Sequence, residues 1–246
     1  MRLARLVTVS IPESLLLTAH GSADPRSAAV THDVAEQIRL QRPALNVRVA
    51  FCEQNTPNLR DALGAVDGPA VVTPLLLASA YHARVDIPSL IAESGVDVLQ
   101  ADTLREDPRL VEVMRARLAE LDITPRASDL GVLVVAVGSS RPESNARTAT
   151  LAEALACGTR WAGVQVAYAT GPNPSVSDGL ELLARRGARR MVLAPWFIAP
   201  GRITDRVAGI ARAAGIPMAA PLGAHPLVAE TVLDRFDEAV EARAAA

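Results

Sequence analysis

The sequence contains no lysine, because all 25 of its basic residues are arginines. Schiff-base chemistry and a phosphate loop that carries lysine are therefore excluded. Any anion that is held by side-chain cations must be held by planar guanidinium groups, which suit carboxylates.

Aromatic residues are also scarce, at 3% of the chain, and the formal net charge is only -2. Few aromatic rings leave little surface on which nucleic-acid bases could stack. A charge this close to neutral gives no general attraction to nucleic acid or to an anionic membrane. We therefore expect no nucleic-acid partner.

The chain has two cysteines, Cys52 and Cys157, too few for a disulfide framework or a thiolate metal site. We expect both to be buried small hydrophobes in a reducing compartment. No apolar run approaches the ~20 residues of a membrane span, and the N-terminus has no secretory signal pattern. These features predict a cytoplasmic protein without a membrane partner.

One sequence pattern occurs twice. The apolar run before Gly21 matches the run before Gly138, 117 positions later, and the same offset pairs 47–51 with 164–168. Elsewhere the offset drifts by a few residues, as loop insertions in a duplicated domain would produce. Only the first copy has a histidine before its glycine, so we expect one lobe to hold the reacting centre and the other to shape the site.

Short apolar runs alternate with longer amphipathic segments, which indicates an α/β fold with parallel sheets covered on both faces. Strands are predicted at 14–19, 46–51, 70–77, 96–99, 131–137, 163–168, 190–198 and 217–220. Helices are predicted at 26–42, 56–64, 85–94, 108–121, 143–156, 174–186, 203–214 and 226–243. We expect two four-stranded lobes, at 1–124 and 129–246, related by internal duplication and joined by a linker.

Three side chains that bind metals well follow consecutive strands of the first copy. His20 follows the first strand, Glu53 the second, and His82 lies in the loop after the third. Ligands of open parallel sheets bind beyond the carboxyl ends of the strands, so these side chains are predicted to converge. Taken singly, each residue has a simpler interpretation. His20 would be a structural histidine and Glu53 a surface carboxylate. His82 would only be part of a loop in which Asp86 caps the following helix.

Polar residues near these positions have two interpretations each. Ser22 and Arg26 follow His20 and could hold an anion through side chains and backbone N–H groups. In the alternative interpretation they only solvate the start of a helix. His32 lies within a predicted helix and is expected to be solvated. His225 precedes a proline where the first copy has Asp107, so we expect both residues to cap helices.

Five motifs of the sequence carry a resemblance to a known family: Thr18 to Pro25, Ala50 to Glu53, Pro74 to Leu77, Tyr81 to Pro88 and Leu222 to Pro226. Together they resemble the sirohydrochlorin chelatase family, which comprises class II tetrapyrrole chelatases that need no ATP. The resemblance covers nearly the whole chain, in the two-copy form of the family. It implies two flavodoxin-like lobes that hold the macrocycle between them, with His20, Glu53 and His82 as metal ligands and catalytic residues.

The resemblance also implies a tetrapyrrole substrate whose carboxylates pair with guanidinium groups. The second substrate is a divalent metal, Fe2+ with Co2+ or Ni2+ as options, and no cofactor is permanently bound. Both a monomer and a homodimer are compatible with fused copies. The residues expected to bind the tetrapyrrole are Ser22, Arg26, Arg84, Arg147, Arg202 and Arg206.

The activity that the resemblance implies is that of a sirohydrochlorin ferrochelatase in sirohaem biosynthesis. A cobaltochelatase of cobalamin biosynthesis is the alternative within the family, because selectivity among these metals follows availability and fine geometry more than ligand type. A non-catalytic carrier of metal or tetrapyrrole, and a two-lobed binding protein without a metal, are alternatives of other classes.

Overall fold

The computed structural model describes residues 14–78 and 82–245, without the side chain of His82. Strands and helices alternate along this part of the chain. In order they are β1 (Ser14–Ala19), α1 (Pro25–Gln41), β2 (Asn46–Phe51), α2 (Leu59–Gly64), β3 (Ala70–Pro74), a short π-helix (His82–Asp86), α3 (Ile87–Ser94), β4 (Val98–Gln100), α4 (Pro108–Ala119), β5 (Leu130–Ala136), α5 (Pro142–Ala149), α6 (Leu151–Ala156), β6 (Gly163–Tyr168), α7 (Val176–Arg185), β7 (Arg190–Pro195), α8 (Arg202–Ala213) and α9 (Pro226–Ala244).

The strands form two parallel sheets, with orders β2-β1-β3-β4 and β6-β5-β7. The first strand of each copy is central in its sheet and pairs with the next two strands of that copy. Helices cover both faces, which is why Leu15, Leu16 and Leu17 are all fully buried despite pointing alternately to opposite faces. The predicted α/β architecture with two lobes is confirmed.

Within the described residues, the second sheet has three strands, whereas the sequence predicts four. In the predicted strand at 217–220, Met218 makes only an isolated bridge to Leu193. Proline cannot donate to a strand ladder, and this segment begins with Pro217 and is followed by Pro221. Both prolines therefore limit the segment to a single bridge.

Two strands end earlier than predicted, at Pro74 and Pro195. The apolar runs continue beyond these prolines, at 75–77 and 196–198, and look like strand in sequence. The last hydrogen bonds to the central strands are donated directly after the prolines, by Leu75 to Thr18 and by Trp196 to Val135, and proline itself has no N–H group with which to extend the pairing. The residues that follow are left at the carboxyl edges of the sheets.

Three of the helices begin with a capping residue followed by proline, as predicted at Asp107 and His225. Asp24 caps α1, Asp107 caps α4, and the Nδ1 atom of His225 accepts from the N–H of Leu227 at the start of α9. The buried Asp107 also accepts a hydrogen bond of 3.0 Å from Arg235 of α9. One carboxylate thus joins the last helices of the two copies.

Packing crosses the boundary between the copies. Helix α4 packs against α6 and β7, and α9 packs against α1, β3 and β4. One hydrophobic cluster contains Leu17 of the first sheet and Val134 of the second. The last helix of each copy therefore packs against the other copy. The division into domains at 1–124 and 129–246 stays a proposal that is based on the sequence repeat.

The two cysteines differ in exposure. Cys52 is partly buried but Cys157 is exposed, so the prediction of two buried thiols is wrong for Cys157, which follows the end of α6.

Among the helices within 14–78 and 82–245, none is both long and apolar enough to span a bilayer.

Candidate functional site

A cavity of about 350 Å³ lies between the two sheets, at the carboxyl ends of their central strands. Its volume falls within the ~300–1,000 Å³ of small-molecule pockets. Both copies supply its lining in matched sets: the apolar segments 75–77 and 196–198, and hydroxyl groups from α1 and α5. The four hydroxyl residues are Ser27, Thr31, Ser144 and Thr148.

The turns after the two central strands share one backbone geometry. Gly21 has φ of 97° and Gly138 has φ of 93°. A Cβ at Gly21 would lie 1.7 Å from the carbonyl oxygen of Glu53, and one at Gly138 would lie 1.9 Å from that of Gly171. Glycine is therefore required at both turns, and each turn places the preceding residue, His20 or Val137, at the cavity.

The structure brings together two of the predicted metal ligands. The Nδ1 atom of His20 lies 3.3 Å from Oε1 of Glu53, and both side chains are roughly half exposed, at 42% and 48%. A backbone hydrogen bond of 3.0 Å from the N–H of Glu53 to the carbonyl of His20 holds the backbones of the two residues together. Imidazole nitrogen and carboxylate oxygen are suitable ligands for divalent first-row metals.

The third predicted ligand, His82, begins the π-helix His82–Asp86, but its side chain lies outside the described residues. Across the residues that are described, no three histidine, cysteine, aspartate or glutamate side chains form a group suited to a metal. The three-ligand site therefore stays a prediction. The π-helix is consistent with a functional segment, because such turns occur frequently at functional sites.

Glu53 also lines a second cavity, of about 320 Å³, together with Cys52, Asp86 and Glu93. Burial, reinforced by the charges of Asp86 and Glu53, raises the pKa of the Cys52 thiol to about 11. This thiol is protonated at neutral pH, unlike a reactive thiolate.

Asp86 makes no capping hydrogen bond to α3, so the capping interpretation of Asp86 is wrong.

Arg26, expected to bind substrate, is paired within the protein. Its guanidinium donates to Asp24 in its own turn, and to both carboxylate oxygens of Asp205 on α8 at 3.2 and 2.5 Å. The adjacent Ser22 accepts from the N–H of Asp24 through its hydroxyl. The Arg26–Asp205 pair joins the two copies beside the cavity-lining residue Ser27.

The other predicted substrate arginines are all exposed, on the π-helix, α5 and α8. Arg84 lies in the π-helix and Arg147 in the last turn of α5. Arg202 begins α8, and Arg206 donates to the carbonyl of Ala169 at 2.6 Å. Their contact with substrate stays a prediction.

Sequence reasoning missed most of the cavity lining. The runs 75–77 and 196–198 were predicted as strand, and Tyr168, whose hydroxyl donates to the carbonyl of Asn145 at 2.9 Å, received no role. The offset of 117 positions was the available signal, because it pairs His20 with Val137 and Phe51 with Tyr168.

Fold and cleft together define a two-lobed α/β protein in which matched turns of the two copies line one cavity, with His20 in the first copy where the second has Val137. The CbiX family model matches residues 14–121 and 131–239, one match for each copy. The chain belongs to the CbiX family, which confirms the resemblance found in the sequence.

Similar proteins carry names that differ in the metal. A sirohydrochlorin cobaltochelatase of Priestia megaterium is 24% identical, over 93% of this chain and 80% of its own length. A sirohydrochlorin ferrochelatase of the same organism is also 24% identical, over 81% of this chain and 78% of its own length.

Solved structures share the fold. SirB from Bacillus subtilis with Fe3+ has a TM-score of 0.80 at 18% identity, with 94% of this chain and 97% of that chain covered. The sirohydrochlorin chelatase SirB from Bacillus subtilis subspecies spizizenii in complex with cobalt has a TM-score of 0.75 at 19% identity, with 93% and 95% covered.

Proposed function

We propose that this protein is a sirohydrochlorin ferrochelatase, which inserts Fe2+ into sirohydrochlorin to give sirohaem without ATP. The observation that carries the proposal is the contact between His20 and Glu53, 3.3 Å apart, at the edge of the apolar cavity between the lobes. Family membership and the names of its relatives support the chelatase activity.

The cavity suits the two parts of such a substrate. The apolar walls at 75–77 and 196–198 pack against the faces of the macrocycle. The carboxylates at its rim are proposed to pair with the guanidinium groups of Arg84, Arg147 and Arg202, all of which are exposed.

The reaction replaces two pyrrole N–H protons by a metal ion. His20 and His82 present neutral imidazoles to the ion. Glu53 balances its charge and accepts one of the two protons, and the other leaves to solvent. Three protein ligands leave coordination positions open, so the metal transfers to the ring nitrogens instead of remaining on the protein.

A sirohydrochlorin cobaltochelatase is the second candidate, supported by the relative of that name in Priestia megaterium. Histidine and carboxylate ligands accept Fe2+, Co2+ and Ni2+ alike. The metal must therefore be decided by rate measurements.

The deciding experiment follows metal-free sirohydrochlorin by absorbance under anaerobic conditions, with the ring in large excess over protein and with Fe2+, Co2+ and Ni2+ at equal concentrations. We expect many turnovers, fastest with Fe2+. Faster insertion of Co2+ would identify a cobaltochelatase. Conversion that stops at one ring per chain would identify a carrier and contradict the enzyme.

A further inference from the structure

The second lobe places Val137 where the first lobe places His20. Strands β1 and β5 end at Ala19 and Ala136, one residue before these positions. The carbonyl of His20 accepts a backbone hydrogen bond of 3.0 Å from Glu53, and the carbonyl of Val137 accepts one of 3.0 Å from Thr170. The match therefore rests on backbone hydrogen bonds as well as on sequence spacing.

Both side chains face the same cavity. His20 and Val137 each line it, and Val137 is 39% exposed. A single exposed valine is ordinary on a protein surface, but this one occupies the duplicate of a proposed metal-ligand position. The cavity lining therefore has an imidazole from the first lobe and, at the equivalent place, an isopropyl group from the second lobe.

The partner of His20 is replaced as well. Thr170 occupies the position of Glu53, and its hydroxyl donates to the carbonyl of Val137 at 2.7 Å. This hydroxyl is directed back onto its own turn. At both equivalent positions, then, the second lobe has groups that are poor ligands for a divalent metal.

We propose that Val137 determines product release, because it leaves the metallated ring without a protein ligand on the face opposite His20. The inference rests on the proposed function. A metal in a planar tetrapyrrole accepts an axial ligand on each face, and imidazole is a strong one for iron. Ligands from both walls would hold the product in the cleft, and product release often limits turnover.

The test compares two substitutions of Val137. Val137→His adds a metal ligand, and Val137→Leu is the control, because leucine is larger than valine but has no atom that binds a metal. Single-turnover insertion and steady-state turnover are measured with the metal that the wild-type enzyme inserts. In Val137→His we expect steady-state turnover to fall at least ~10-fold relative to the single-turnover rate. In Val137→Leu both rates should change by the same factor.

A spectroscopic signature separates this role from a purely structural one. The product bound to Val137→His should remain with the protein during gel filtration and show the absorption of a six-coordinate metal. Val137→Met supplies a thioether ligand of nearly the same shape as leucine and should retain product where Val137→Leu does not, so the test survives if the histidine variant folds poorly.

Equal behaviour of the histidine, methionine and leucine variants would overturn the role of Val137. That result differs from failure of the proposed function, which would appear as absence of metal insertion by the wild-type protein in the same assay.

Discussion

Gly21 and Glu53 are in such close contact that a Cβ on Gly21 would lie 1.7 Å from the carbonyl oxygen of Glu53. This contact brings the loop after β2 against the loop after β1, and with it the carboxylate of Glu53 next to His20. The geometry of the proposed metal site therefore depends on a glycine that supplies no side-chain ligand itself.

Substitution of Gly21 by alanine should destabilise the protein severely, because the backbone has φ of 97° and cannot move away from Glu53. We expect a loss of at least ~3 kcal/mol in the free energy of unfolding, measured by urea denaturation. Gly68 is the matched control, since it has φ of 86° but no atom within 4 Å of a Cβ. Gly68→Ala should cost only about 1 kcal/mol, and equal losses would contradict the role of the contact.

The sequence was sufficient to predict the alternating elements, the duplication and the edge at which the site lies, because these depend on local periodicity and on strand direction. It was misleading at Pro74 and Pro195, where apolar residues continue past the end of the strand and become cavity wall. It also could not pair Arg26 with Asp205, because that contact depends on how the two lobes face each other.

Replacing Asp205 by asparagine should strengthen tetrapyrrole binding. Asp205 holds the guanidinium of Arg26, and an exposed ion pair of this kind is easily exchanged for another carboxylate. We expect KM for the ring to fall roughly two- to five-fold in Asp205→Asn, most clearly at low salt.

Asp237→Asn is the control, because it breaks another ion pair between the copies, with Arg42, at residues that do not line the cavity. Its KM should match that of the wild type. A higher KM in Asp205→Asn would mean that Asp205 positions Arg26 for the substrate instead of competing with it.

The cap of α9 should make stability depend on pH. Burial and the charge of Arg117 lower the pKa of His225, and its neutral Nδ1 accepts from Leu227. The unfolded chain binds this proton more readily, so the stabilisation is present above the unfolded pKa of about 6.5 and is lost as pH falls through the folded pKa.

Asparagine caps helices well and does not titrate in this range. Between about pH 7.5 and pH 5 the stability of the wild type should therefore fall more steeply than that of His225→Asn. Parallel curves from chemical denaturation would refute the assignment. Metal insertion by His225→Ala should be affected only mildly, because His225 lies outside the proposed metal site.

The two proposed histidine ligands should each be essential. We expect His20→Ala and His82→Ala to lower the rate of metal insertion at least ~100-fold. His32→Ala is the control, because His32 is exposed on α1 and contacts the ring of Phe51. Near-full activity in either ligand variant, with rates measured by the anaerobic absorbance assay, would remove that residue from the site.

The most direct measurement is the anomalous scattering of Co2+ in crystals of the protein without tetrapyrrole. We expect one strong peak in the first lobe, about 2.1 Å from imidazole nitrogens of His20 and His82, with a carboxylate oxygen of Glu53 as the third ligand. A peak beside Val137 in the second lobe, or imidazoles of His20 and His82 that point away from a common ion, would contradict it.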